Sequence, residues 1–319
     1  MKDLLCIDIL IRVPLNKFFT YKSNIKTKIG SVVKIPFGNN NEIVKGIVIS
    51  KPYNKKSNFQ IKEIISVESY ESILSDPQLE LLNWSSSYYL VGLPKIFNSI
   101  FSKNILDINL DEQSHKKINQ KNKNYKTNLV VDHSKNIIPN IIDEIKSNTN
   151  YKQILILCPN SYKTQSTFNI LSKKCKDMYI YDSKTIPSDK IKIWKSILKN
   201  EKIIILGSKS AVFLPFIDLK KIYVIYEHNY LYKETDKVLR FNARDCAVVL
   251  SNIHMCDIDL ISDSPSLESM YNTKKNKFKF YDKSKKLKLK TDLKRISIFN
   301  KLENKLKNKI DGVVSLNIL

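Results

Sequence analysis

Gln153-Ile154-Leu155-Ile156-Leu157-Cys158 decides the fold, together with the later runs Lys202-Ile203-Ile204-Ile205-Leu206 and Ile222-Tyr223-Val224-Ile225. Each is a continuous apolar stretch rather than an alternation of apolar and polar residues, so each reads as a strand buried on both faces. Asn128 to Val131 is a further run of this kind. Helix-like stretches lie between them, at Ile137 to Ile145, Thr164 to Cys175 and Ile191 to Leu198. Strands alternating with helices predict a parallel sheet covered on both sides, and residues 128–271 are read as one α/β lobe.

Upstream the period changes. Ile7 to Val13, Ser31 to Pro36, Ile43 to Ser50 and Ile61 to Val67 are short β-branched runs broken by Gly30, Gly38-Asn39 and Pro52-Tyr53-Asn54. This punctuation predicts a small antiparallel, barrel-like domain over residues 1–106. Ser75-Asp76-Pro77 gives a capping side chain and a proline in the first turn, so a helix starts there, with Leu79, Leu82 and Tyr89 available to one face. Residues 107–127 are polar and basic, holding little that could form a core, and read as a linker. Residues 272–319 read as a basic extension. From Lys274 to Lys309 it carries fifteen Lys and Arg against Asp282, Asp292 and Glu303, as an arm on nucleic acid or a solvated, partly helical tail would.

The 319 residues hold 54 Lys and Arg against 31 Asp and Glu, a net charge of +23. Such a field favours polyanions, with nucleic acid first among them, although the abundance of Lys, Asn and Ile throughout also fits a general compositional bias. Cys6, Cys158, Cys175, Cys246 and Cys256 form no Cys-x-x-Cys pair, so neither a zinc ribbon nor a redox pair is expected. Scattered single thiols and the lack of an apolar run near eighteen residues point to a cytoplasmic protein without a membrane span.

The first domain carries Val13-Pro14-Leu15, then Phe18-Phe19-Thr20-Tyr21, then Gly30-Ser31-Val32-Val33-Lys34-Ile35-Pro36-Phe37-Gly38. This order and spacing resemble the opening of the PriA family of replication restart proteins. Gly46-Ile47-Val48, Ile61-Lys62-Glu63-Ile64 and Leu82-x-Trp84 with Tyr88-Tyr89 continue the likeness. The lobe carries three further segments: Gly207-Ser208-Lys209-Ser210-Ala211-Val212-Phe213, Glu227-His228 followed by Tyr232-Lys233 and Arg240-Phe241-Asn242-Ala243-Arg244-Asp245, and Ser262-Asp263-Ser264-Pro265-Ser266-Leu267-Glu268-Ser269. These are similar, in order, to segments of that family's first motor lobe. The resemblance implies a RecA-like helicase lobe after a domain that captures the 3′ end of a DNA strand.

By that resemblance Phe19 matches the aromatic residue of the end-binding segment, Thr20 the aspartate beside it, Tyr21 the tyrosine after it and Lys62 the lysine of a later strand. An aromatic face can stack a base and a lysine can neutralise phosphate. Thr20 departs from the pattern, since a hydroxyl accepts a hydrogen bond more weakly than a carboxylate. Phe19 has a second reading as plain core. Ser208, Lys209, Arg240 and Arg244 match positions near the single-stranded DNA track, and the two arginines read equally as ion-pair partners of Asp245 and Glu234.

The family uses ATP, magnesium and zinc. A P-loop needs glycines that let backbone N–H groups cradle phosphates, with a lysine and a hydroxyl residue after them. The matching stretch here is Val130-Val131-Asp132-His133-Ser134-Lys135-Asn136-Ile137-Ile138, which has no glycine. The family's Asp-Glu-Glu-His falls on Ile225, Tyr226, Glu227 and His228, which leaves one carboxylate. No catalytic, cofactor-binding or metal-binding residue is therefore expected, and no cofactor. The chain leaves no room for a winged helix, a second motor lobe or a cysteine-rich zinc segment.

The reading that follows is a DNA-binding protein of replication restart, recognising forked or single-stranded DNA without motor activity and recruiting other primosome or helicase-loading proteins. Two alternatives stand beside it: a working ATP-dependent 3′-to-5′ helicase, and an eroding gene product that keeps only the fold.

Overall fold

The computed structural model describes residues 3–110, 124–133, 137–148, 151–235, 237–283, 296–298 and 316–318. Its first sheet is antiparallel. β1 (Asp3–Ile11) pairs with β2 (Phe19–Lys22), with β4 (Glu42–Val48) and with β5 (Tyr53–Lys56), while β3 (Val32–Phe37) lies between β4 and β6 (Ser66–Ser69). The expected strand at 61–67 is shifted. Ile61 to Glu63 contribute only a bridge from Glu63 to Lys22, and the paired segment begins at Ser66.

The sheet has two unlike faces because side chains alternate along a strand. Ile7, Ile9, Ile11, Tyr21, Val33, Ile35 and Val48 pack together on one side. Leu10, Val32 and Ile47 turn to the other, where two helices cover them. α1 (Asp76–Tyr89) starts as the sequence predicts, with the Ser75 side chain accepting from the N–H of Gln78 and Pro77 in the first turn. α2 (Leu93–Ile100) follows after Gly92, and a 3-10 turn covers Lys103–Asp107.

The second sheet has seven parallel strands in the order β13-β7-β12-β11-β8-β10-β9. These are β7 (Thr127–Val131), β8 (Gln153–Leu157), β9 (Met178–Tyr181), β10 (Ile203–Gly207), β11 (Leu219–Ile225), β12 (Asp257–Ser262) and β13 (Lys279–Asp282). Helices α3 (Ile137–Ser147), α4 (Ser161–Leu171), α5 (Pro187–Leu198), α6 (Ala243–His254) and α7 (Leu267–Lys274) make the crossovers. β8 and β10 are buried along their whole lengths, as their apolar runs require. The architecture is thus the expected one, an antiparallel domain followed by a helix-covered parallel sheet.

The boundaries around the lobe also differ from the reading. The parallel sheet runs past residue 271, because β13 pairs with β7 and α7 extends to Lys274. Within the stretch read as a linker, Ile108 and Leu110 are buried; residues 111–123 lie outside the described residues.

The first domain and the lobe share one core. Phe97, Phe101 and Ile105 pack in the same apolar cluster as Trp194, Ile197, Phe213 and Leu250. Two buried side chains bond across it: Trp194 Nε1 donates to Ile73 O at 2.7 Å, and Gln78 Nε2 to Phe213 O at 2.7 Å. Residues 1–283 accordingly form one compact unit, and Ser284–Leu319 a second, in which β14 (Ile296–Ile298) pairs antiparallel with β15 (Leu316–Ile318). Most of the basic extension lies outside the described residues.

Candidate nucleic-acid interface

Phe19 and Tyr21 stand on the same side of β2, facing the apolar cluster, and each does something different there. Phe19 is half-buried and meets the Phe37 ring edge-on, with centroids 5.0 Å apart. The Lys17 ammonium lies 5.2 Å from the Phe19 centroid. Tyr21 is buried and its hydroxyl donates to Pro36 O at 3.0 Å; burial pushes its phenol up from the usual value. Its polar end is spent on the fold.

Lys62 reaches the same region. Its ammonium donates to Gly38 O at 2.6 Å, and its own carbonyl accepts from Lys22 N at 2.9 Å. Gly38 has φ +69°, the left-handed region that glycine enters without strain, and no atom lies within 4 Å of where a side chain would begin. The space beside its Cα is therefore open to a ligand's close approach, while its carbonyl is held by Lys62. Phe19, Phe37, Gly38 and Lys62 form a site with an aromatic wall, an exposed backbone turn and a cation.

Thr20 does not join it. Strand alternation turns its side chain to the opposite face, where its hydroxyl donates to Asp8 Oδ1 at 2.9 Å. Tyr53 donates to the same oxygen at 2.8 Å, and Lys55 Nζ donates to Thr20 Oγ1 at 3.2 Å. Sequence reasoning missed Asp8. The signal lay in the pairing register, which sets Asp8 opposite Thr20 on the neighbouring strand.

On the lobe, the residues matched by resemblance to a DNA track separate into exposed and engaged groups. Gly207 ends β10 where a side chain would begin 2.1 Å from Ala211 Cβ, so the turn into Ser208 has room only for glycine. Ser208 precedes the 3-10 turn of Lys209–Phe213, and Lys209 pairs with Glu234 at 3.3 Å. Arg240 is exposed, on the loop that also carries the exposed Tyr230 and Lys233. This loop is anchored by Tyr232, which is buried and donates its hydroxyl to Leu157 O and Ile225 O, and by Glu234 N donating to Phe241 O at 2.7 Å.

Arg244 is buried and faces inward, in agreement with the ion-pair reading to Asp245, with Glu227 as a second carboxylate partner. Its guanidinium donates to Glu227 Oε2 at 3.2 Å, to Asp245 Oδ1 at 2.9 Å and to Ser266 Oγ at 2.8 Å. Burial works against its charge, and Asp245 and Glu227 more than restore it. Glu227 is itself fully engaged, accepting from Ser266 N at 2.7 Å and from the hydroxyls of Ser266 and Ser269 at 2.9 Å each. It ties the start of α7 to α6.

The positions matched by resemblance to the family's P-loop and acidic motif are placed as follows. Ile225 is buried in the apolar cluster above α3 and α4. Tyr226 takes φ +57°, and the Lys163 ammonium lies 5.2 Å from its ring centroid. Asp132 is buried at the end of β7 and accepts from Asn140 Nδ2 at 3.4 Å. Residues 134–136 lie outside the described residues. His228 Nδ1 is 2.6 Å from Ser262 Oγ.

Residues 8–102 match the family described as the 3′DNA-binding domain (3′BD) of PriA. The chain is 27% identical over 322 residues to the replication restart protein PriA of Rickettsia prowazekii, covering 93% of this chain and 48% of the relative. It is also 27% identical over 311 residues to that of Borreliella burgdorferi, covering 85% and 45%. The chain thus spans about half the length of the curated relatives it matches. Among solved structures it is similar to the DEAD-box helicase Mss116 bound to ssRNA and UDP-BeF, with a TM-score of 0.38 and 14% identity over 53% of this chain and 34% of that one. The helicase domain of Pyrococcus furiosus Hef gives a TM-score of 0.36 and 13% identity over 51% and 35%.

Proposed function

From the premise that the chain is PriA-like and holds a 3′DNA-binding domain, we propose that it binds forked or single-stranded DNA in replication restart and does not act as a motor. The observation that carries this reading is the meeting of Phe19, Phe37, Gly38 and Lys62 inside the matched region. The exposed part of Phe19 offers a stacking surface worth about 1–3 kcal/mol per base. Lys62 and Lys17 offer charge to phosphate, and the Gly38 turn lets a sugar or base approach the backbone. The loop of Tyr230, Lys233 and Arg240 supplies a second aromatic and basic contact.

Recognition of a free 3′ hydroxyl is weak on this reading. The carboxylate nearest Thr20 is Asp8, on the far face of the sheet from Phe19 and already accepting two hydroxyl donors. ATP hydrolysis is not supported, since Glu227 is spent on α7 and Arg244, while Ile225 and Tyr226 replace the other acidic positions. All five cysteines are free and buried, and no helix among the described residues is long and apolar enough to cross a membrane. A cytoplasmic role alongside other primosome or helicase-loading proteins belongs to the same proposal.

Fluorescence anisotropy with forked, 3′-ended single-stranded and blunt duplex DNA, at two salt concentrations and with or without ATP and magnesium, tests it. The expected result is salt-sensitive binding that favours forks or single strands and ignores ATP. Equal, weak binding to all three would leave a chain that retains only the fold, and nucleotide-dependent binding would restore the motor.

A further inference from the structure

A cleft lies at the outer edge of the parallel sheet, where the end of β9 adjoins Ser208, whose N–H donates to Tyr181 O at 3.4 Å. It encloses about 550 Å³ between α4, β9 and the start of α5, a size that suits a ligand or the side chains of a short peptide. Tyr162, Phe168, Met178 and Ile186 give it apolar walls.

Two features define what it could hold. Met178, Tyr179 and Ile180, three consecutive residues of β9, all line it. Successive side chains of a strand point to opposite faces, so a cleft touching all three lies against the strand's edge. β9 is the last strand in its sheet; on its outer edge Thr185 Oγ1 donates to the Ile180 carbonyl at 3.1 Å, and the Met178 N–H and C=O and the Ile180 N–H face no neighbouring strand among the described residues. An open edge of this kind is a template for an added strand.

The second feature is Asp182, at the end of β9 and 5% exposed. Its Oδ1 accepts from the N–H groups of Lys184 and Thr185 at 2.9 and 3.1 Å. No hydrogen bond among the described residues reaches Oδ2, and the residue lines the cleft. Lys190 is near enough for the two charges to be felt, with its ammonium resting 5.9 Å from the Tyr181 ring centroid, but makes no ion pair with Asp182. The exposed Asp189 and Lys184 at the rim offset each other. The one charge held out of water in this cleft is a carboxylate, which repels phosphate and favours a cation.

We propose that this cleft is a docking site for an extended peptide segment of a partner protein, which adds as a strand to β9, places apolar side chains between Tyr162 and Ile186, and sets a Lys or Arg on Asp182. The sign of the buried charge chooses a basic peptide over nucleic acid.

The test uses the full chain and a small family of fluorescein-labelled heptapeptides in which Val and Phe alternate with Arg or Lys, beside twins carrying Glu in place of each basic residue. The expected result is saturable anisotropy with the basic peptides alone, slowed hydrogen exchange of the outward Met178 and Ile180 amides on saturation, and no displacement by single-stranded DNA. Asp182→Asn keeps the acceptor for the loop N–H groups while removing the charge, and should weaken binding about tenfold. Ile186→Lys, at an exposed position, should weaken it without touching the loop. Absence of binding, or binding that ignores both substitutions and leaves β9 exchange unchanged, would overturn the proposal. Displacement by DNA would make the cleft a nucleic-acid site instead.

Discussion

Under the proposed function Lys62 and Phe19 would meet DNA through different physics, so their substitutions should have different signatures. Lys62→Ala removes one phosphate-facing charge, and the slope of log affinity against log salt should fall by about 0.7 on single strands, with little dependence on sequence. Phe19→Ala should cost about 1–3 kcal/mol of binding while leaving that slope unchanged. Anisotropy titrations across a salt series check both, with thermal melts to show that the half-buried Phe19 is not needed for folding. His254 makes a pH prediction of a purely structural kind. Burial, with the Lys220 charge adding to it, pushes its imidazole down to about 3, and its Nε2 has no hydrogen-bond partner. The unfolded chain takes up this proton near pH 6.5 and the folded one does not until about 3. Stability from this group is therefore complete above pH 6.5 and is lost as pH falls toward 3, by up to about 1.4 kcal/mol per pH unit. Urea unfolding between pH 7 and about 4 should show a shallower loss in His254→Gln. The sequence singled out Phe19 and Lys62 through their resemblance to a known pattern, and the structure brings them to one region. The sequence hid Asp8, whose relation to Thr20 exists only once β1 and β2 pair.

Glu227 shows how an element can take over a residue that the motif assigns to chemistry. It holds the N-terminus of α7 through Ser266 and Ser269 and neutralises Arg244 on α6. Glu227→Ala would leave a buried guanidinium with only Asp245 and the exposed Glu268 near it, at a cost of about 3 kcal/mol or somewhat more. Glu227→Gln, which keeps most of the hydrogen bonds, should cost less. Urea midpoints of the two variants decide the matter, since a purely catalytic Glu227 would leave stability untouched. The strands β8 and β10 were legible because full burial demands unbroken apolar runs. β9 and β13 were not, because each is short, lies at a sheet edge and keeps polar or exposed residues. Ser75 marked its helix correctly because a capping side chain acts locally. Glu227 and Arg244 gave no such signal, since their contact depends on how α6 and α7 meet.

At the scale of the molecule, the change of hydrophobic period between residues 1–106 and 128–271 separates two patterns, and the structure joins them by one core. Periodicity reports which face of an element is apolar, but not which element covers it. Trp194 is the clearest case: it belongs to α5, is fully buried, bonds Ile73 of the first domain and packs against Phe101 with ring centroids 5.4 Å apart. Trp194→Ala should cost about 3–5 kcal/mol, and the loss should fall on both parts together. The chain has two tryptophans, so this variant leaves Trp84, on α1, as the only indole reporter of the first domain, while far-UV circular dichroism follows mainly the helices of the lobe. Coincident melting curves by the two probes, at a lower temperature than in the parent, are expected of one cooperative unit. Two separated transitions would mean that the shared core is too weak to couple them, and that the first domain can unfold while the lobe stays intact.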